Sequence, residues 1–194
     1  MPESTVGRPL RADAQRNRLK VLAAAERVLA KDGSAASMRE IARQAGVGLA
    51  TIYRQFPTKE ALYEAVVVER VRRLLDHAHA AAHATDPGDA FFTFFTFAVT
   101  ETTGEKALVD SLAVAGLDPK AGTAPMHRDL EKATGVLLRR AQAAGAVRAE
   151  VGMAEVLALI TAMCLAADRQ HWDEQLRTRS LTVVFDGLRP QLRP

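Results

Sequence analysis

Apolar positions in the first part of the chain recur at helical spacing. Val21, Leu22, Ala25, Val28 and Leu29 stand three, four and seven residues apart and predict a helix from about Asp13 to Lys31, closed by Asp32-Gly33. Ser37-Met38-Arg39-Glu40 has the form of a capping box, a hydroxyl followed three residues on by a carboxylate. It opens a short helix to about Ala45 whose apolar side is Met38, Ile41, Ala42 and Ala45. Gly46 permits a sharp turn, and another short helix covers about Leu49–Gln55, burying Ile52 and Phe56 before Pro57 breaks it. Thr58 caps a fourth, long helix that reaches about Ala84, with Leu62, Ala65, Val66 and Val67 on its first apolar face. Asp86-Pro87-Gly88-Asp89 is a strong break. Beyond it, helices are expected at about 89–103, 105–116, 125–144, 153–171 and 174–188, with Asp118-Pro119, Gly122, Gly145 and Gly152 as breakers. No segment alternates with period two, and the fold class is all-α.

Composition narrows the picture. A chain of 194 residues, 48% hydrophobic and 25% charged, has enough apolar matter for a folded core and is not of the disordered type. The single cysteine, Cys164, excludes an internal disulfide framework and a cysteine-based zinc finger, and it fits a reducing, cytoplasmic setting. The longest nearly apolar run, Val156–Ala167, is short of the ~18–20 residues that span a bilayer. The polar, arginine-bearing N-terminus lacks the apolar stretch of a secretory signal. Charge is unevenly spread. Residues 1–80 carry 14 Lys and Arg against 9 Asp and Glu, a net +5, whereas residues 81–194 carry 12 against 14, a net −2. A basic first part suits a polyanion, because Lys and Arg release counterions from phosphates. The expected organisation is a flexible basic arm over 1–12, a reading head over 13–60 and a helical domain over 61–194.

The head has a helix-turn-helix pattern: three helices in residues 13–56 with a glycine turn between the last two. Ala42 is small where two helices cross, Gly46 tolerates the turn, and Ile52 is apolar to seat the second helix on the first. With that seat, Leu49, Ala50, Thr51 and Tyr53 point away from the core, toward a major groove. The stretch Met38-Arg39-Glu40-Ile41-Ala42-Arg43-Gln44-Ala45-Gly46-Val47-Gly48-Leu49-Ala50-Thr51-Ile52-Tyr53-Arg54-Gln55-Phe56-Pro57-Thr58-Lys59-Glu60-Ala61-Leu62 resembles the TetR family of transcriptional regulators. Its most specific features are the Gly-Val-Gly turn, the Thr-Ile-Tyr-x-x-Phe helix and the Lys-Glu-x-Leu that follows. The likeness runs from about Gln15 to Tyr63; the rest of the chain is similar only in length, helical character and a weaker echo over Leu137–Arg148.

The resemblance implies a homodimer that reads palindromic double-stranded DNA with the third helix in the major groove. It implies a phosphate contact from the Tyr53 hydroxyl, and backbone contacts near Lys59 and Ser37 at helix N-termini. Thr51 and Ala50 would offer a hydroxyl and methyls to base edges. Arg39 would reach a base or a phosphate, Arg54 a phosphate or solvent, and Gln55 an adenine. Arg8, Arg11, Arg16 and Arg18 belong either to a DNA-binding arm or to a solvated tail.

No catalytic signature occurs in residues 81–194, and neither a metal site nor a cofactor is expected. Five of the seven phenylalanines fall in Phe91–Phe97 and cannot all face one core. Phe91, Phe94 and Phe95, with His127 and Met163, are candidates to line an apolar pocket for an unknown small molecule, although core packing explains each phenylalanine as well. The last two helices are candidates for a dimer interface through Leu157, Leu181, Val184, Phe185 and Leu188, the alternative being that they close the monomer's own core. The function expected is that of a repressor released from its operator by a small apolar ligand. The alternatives are an activator with the same head, or a helical metal-dependent enzyme using the i, i+4 pair His79 and His83.

Overall fold

Short polar caps and glycine turns set the helix limits in the computed structural model, which describes residues 7–101 and 123–190. The described residues form eight α-helices, joined in one place by a 3-10 turn, and no strand occurs among them. The first four are α1 (Gly7–Asp32), α2 (Met38–Ala45), α3 (Leu49–Gln55) and α4 (Lys59–Ala81). Then come α5 (Pro87–Glu101), α6 (Ala124–Ala143), α7 (Met153–Gln170) and α8 (Glu174–Leu188). The helix expected at 105–116 lies outside the described residues.

Two element ends differ from expectation. Helix α1 begins at Gly7, so residues 7–12 are helical where a flexible arm was expected. Pro9 stands in the first turn, where backbone N–H groups have no intrahelical partner and the fixed φ suits the helix. Helix α4 stops at Ala81 rather than near Ala84. The carbonyls just past its end are taken by Arg140 of α6, whose guanidinium donates to those of Ala82 and, at 2.9 Å, Ala84.

The chain divides into two compact units, and the division falls within α4 between Glu69 and Arg70 rather than after residue 60. The buried Leu62, Tyr63, Val66 and Val67 therefore belong with the head. In that first unit α1 packs on α2, and α2 on α3. Val21, Leu22, Ala25, Val28 and Leu29 are all buried, as the spacing predicts. Arg18 lays its guanidinium over the Phe56 ring, 4.6 Å from the centroid, tying α1 to the end of α3 by a cation–π contact. Arg16 pairs with Asp13 one turn away. The side chains of Arg8 and Arg11 lie outside those described.

In the second unit α5 packs on α6 and α7 around a core that includes Phe91, Phe94, Phe95, Leu137, Met163 and Leu181. Both faces of the phenylalanine helix are covered. Phe185 of α8 meets Phe92 at 4.7 Å and Phe95 edge-on at 5.5 Å. On the other side His77 of α4 stacks on Phe97, with centroids 4.1 Å apart and rings 11° from parallel. No helix among the described residues is long and apolar enough to cross a membrane.

Candidate nucleic-acid interface

The interface is built from α2, the turn after it, α3 and the start of α4. Ser37 caps α2: its Oγ accepts from the Glu40 N–H at 3.2 Å. The reciprocal half of the expected capping box is replaced. Glu40 turns toward the last turn of α2 and accepts from Arg43 Nε at 2.8 Å, from a terminal Arg43 nitrogen at 2.6 Å and from Gln44 Nε2 at 3.1 Å. The Arg43 fork, helped by Gln44, holds the Glu40 carboxyl at about 2, well below the usual carboxylate range.

Gly46 adopts the left-handed conformation, φ 68°, in which a β-carbon is strained. The Val47 N–H then donates to the Ala42 carbonyl at 3.1 Å, closing the turn. Ile41, Ala42 and Ile52 are buried, so α3 is seated as the spacing requires. Phe56, also buried, takes an extended conformation and ends the helix. Thr58 caps α4, its Oγ1 accepting from the Ala61 N–H at 3.1 Å.

This seat leaves one side of α3 outward. Ala50, Tyr53 and Arg54 are exposed, and Leu49 and Thr51 are half-buried. Tyr53 is 47% exposed and is not a core residue. Ser37 and Arg39 are exposed on α2, and Lys59 is half-buried with its ammonium 5.3 Å from the Tyr63 ring centre. Gln55 is half-buried, and its side-chain oxygen has no hydrogen-bond partner among the described residues. Sequence reasoning passed over Arg43; the i, i+3 spacing of Glu40 and Arg43 was the available signal.

In the second unit, Phe91, Phe94, Phe95 and Met163 are brought together as members of the packed core. His127 stands outside that cluster, its ring Nδ1–H directed to the Thr123 carbonyl one turn back at 3.0 Å. A cleft of about 620 Å³ in this unit is lined by Gln142, Gly145, Val147, Arg148, Ala149, Glu150 and Pro190, none of them a candidate residue. Among the proposed dimer residues, Leu181 and Leu188 are buried within the single chain, Val184 is half-buried, and Phe185 is engaged by Phe92 and Phe95. That stripe faces its own core because α5 needs covering there. Leu157 does remain exposed, as do Leu165 on α7 and Val183 on α8. His79 and His83 are exposed, and no group of three or more metal-binding side chains occurs among the described residues.

Residues 21–66 match the family of bacterial regulatory proteins, tetR family, and residues 86–190 match the C-terminal domain of SbtR-like transcriptional regulators. The chain belongs to the TetR family. It is 41% identical to a TetR transcription regulatory protein from Mycobacterium vanbaalenii, over 94% of this chain and 100% of that one, with a TM-score of 0.77. It is 33% identical to the TetR transcriptional regulator SCO0520 from Streptomyces coelicolor, over 90% and 99% of the two chains, with a TM-score of 0.78. The HTH-type transcriptional regulator UidR of Escherichia coli (strain K12) is 24% identical over 155 residues, 75% of this chain and 76% of the relative. This TetR-family protein is thus a DNA-binding transcriptional regulator. The family is not one of enzymes, and membership overturns the enzymatic alternative built on His79 and His83.

Proposed function

We propose that this TetR-family regulator is a cytoplasmic, homodimeric repressor that reads a palindromic operator and leaves it when a small apolar ligand binds the second unit. The observation that carries the reading is the outward side of α3. Ala50, Thr51, Tyr53 and Arg54 line it, while Ile52 and Phe56 pin the opposite side. In this reading Thr51 and Ala50 meet base edges. Tyr53, Ser37, Arg39, Arg54 and Lys59 fix the register through phosphates, Arg39 also standing within reach of a base.

Dimerisation is assigned to the outward side of α7 and α8, where Leu157, Leu165 and Val183 are exposed. The aromatic core around Phe91, Phe94, Phe95 and Met163, with His127 in the first turn of α6, is where an apolar ligand would have to open space. Such a ligand acts only through its differential affinity for two conformers, one with reading heads spaced for DNA and one without. Random-site selection with the full-length protein tests this. The expected product is an inverted repeat whose half-site centres lie about 10–10.5 bp, or a multiple, apart. Recovery of isolated half-sites, or of no common sequence, would refute it.

A further inference from the structure

Glu40 stands beside Arg43 on α2, and its carboxylate accepts three hydrogen bonds. Arg39 and Arg43 are one turn apart on that helix, both exposed. Arg39 pairs with no acidic side chain among the described residues, whereas both Nε and a terminal nitrogen of Arg43 lie on Glu40, and Gln44 adds a third donor. An exposed ion pair is ordinarily of little consequence for stability. A two-pronged fork is different in what it does to the arginine: it occupies the same donors that a phosphate would take. An arginine released from that fork adds one more phosphate contact, and such contacts strengthen binding to every sequence alike.

We infer that Glu40 is a positioning residue that holds Arg43 away from the DNA backbone and so limits binding to non-operator sequences. This rests on the DNA-binding reading of α2 and α3. The carboxylate is a local counterweight to the positive charge of the head. It withdraws one cation from the interface without altering the base-reading side of α3. Ser37 remains the cap of α2 whether or not Glu40 is charged, because the hydroxyl accepts from the Glu40 backbone.

The test is fluorescence anisotropy of the full-length protein on a labelled duplex of arbitrary, non-palindromic sequence, measured over a series of salt concentrations. Glu40→Gln is expected to tighten binding and to steepen the slope of log K against log salt by about 0.9 for each chain bound. Arg43→Gln alone is expected to leave both unchanged. The double variant is expected to return to the unaltered protein's slope. A Glu40→Gln gain that survives in the double variant would overturn the inference, since removal of a negative charge then explains it without Arg43. Weaker binding with a shallower slope in Arg43→Gln would overturn it independently of how Glu40→Gln folds, since Arg43 would then already contact phosphate. A flat salt response of the unaltered protein would instead remove the DNA-binding reading and the inference with it.

Discussion

Tyr63 shows how one buried side chain sets a measurable property. It is almost wholly buried, and its hydroxyl has no hydrogen-bond partner among the described residues. Burial first, and the nearby Glu60 charge second, push its pKa up to about 12. In the unfolded chain a tyrosine ionises near 10. Between about 10 and 12 the unfolded state therefore loses a proton that the folded state keeps. Stability from this group is complete below about pH 10 and is lost as pH rises through about 12. Tyr63→Phe should remove that alkaline loss. Near neutral pH it should leave stability unchanged or raise it by up to about 1 kcal/mol, because no hydrogen bond is sacrificed. Urea melts of both proteins near neutral pH and at about pH 11 check this; equal alkaline losses would contradict it. At the same scale, Ala42, Gly46 and Ile52 were legible in the sequence because each answers a backbone or crossing requirement set by close neighbours. Glu40 was less so. It has competing partners at i−3, i+3 and i+4, and only the folded geometry selects among them.

Helix limits were readable wherever the stop signal is local. Asp173 caps α8, accepting from the Leu176 N–H at 2.7 Å, and Asp86 with Pro87 opens α5, Asp86 accepting from the Asp89 N–H at 2.9 Å. The end of α4 was not readable, because the group that receives its carbonyls stands 56 to 59 residues downstream. A guanidinium at the negative end of a helix satisfies orphan carbonyls and complements the dipole. Arg140→Ala should accordingly loosen the turn at 82–84 and cost about 1–3 kcal/mol. Arg140→Lys should restore this only in part, since an ammonium offers its donors from one nitrogen, whereas the guanidinium reaches Ala82 and Ala84 from two. Amide hydrogen exchange at Ala82, His83 and Ala84, whose N–H groups donate back into α4, is the readout. Unchanged protection in Arg140→Ala would show that the contact is dispensable.

At the level of the whole molecule, α4 is continuous from Lys59 in the reading head to Ala81 in the second unit. The all-α architecture and the head were legible because helical periodicity and capping are properties of short segments. The surface available to a second subunit was not. An apolar stripe such as Leu181, Val184, Phe185 and Leu188 announces burial but does not say against what, and here the partner is the chain's own phenylalanine helix. In the proposed function, the side chains of α3 divide into base-reading and phosphate-holding groups. The most direct test of this division is the affinity of Thr51→Ala and Tyr53→Phe for the selected duplex and for each of its single-base variants. Thr51→Ala should change base preference at one position per half-site by about 1–3 kcal/mol, and Tyr53→Phe should weaken binding to all variants equally. Identical, sequence-independent losses from both substitutions would contradict the account.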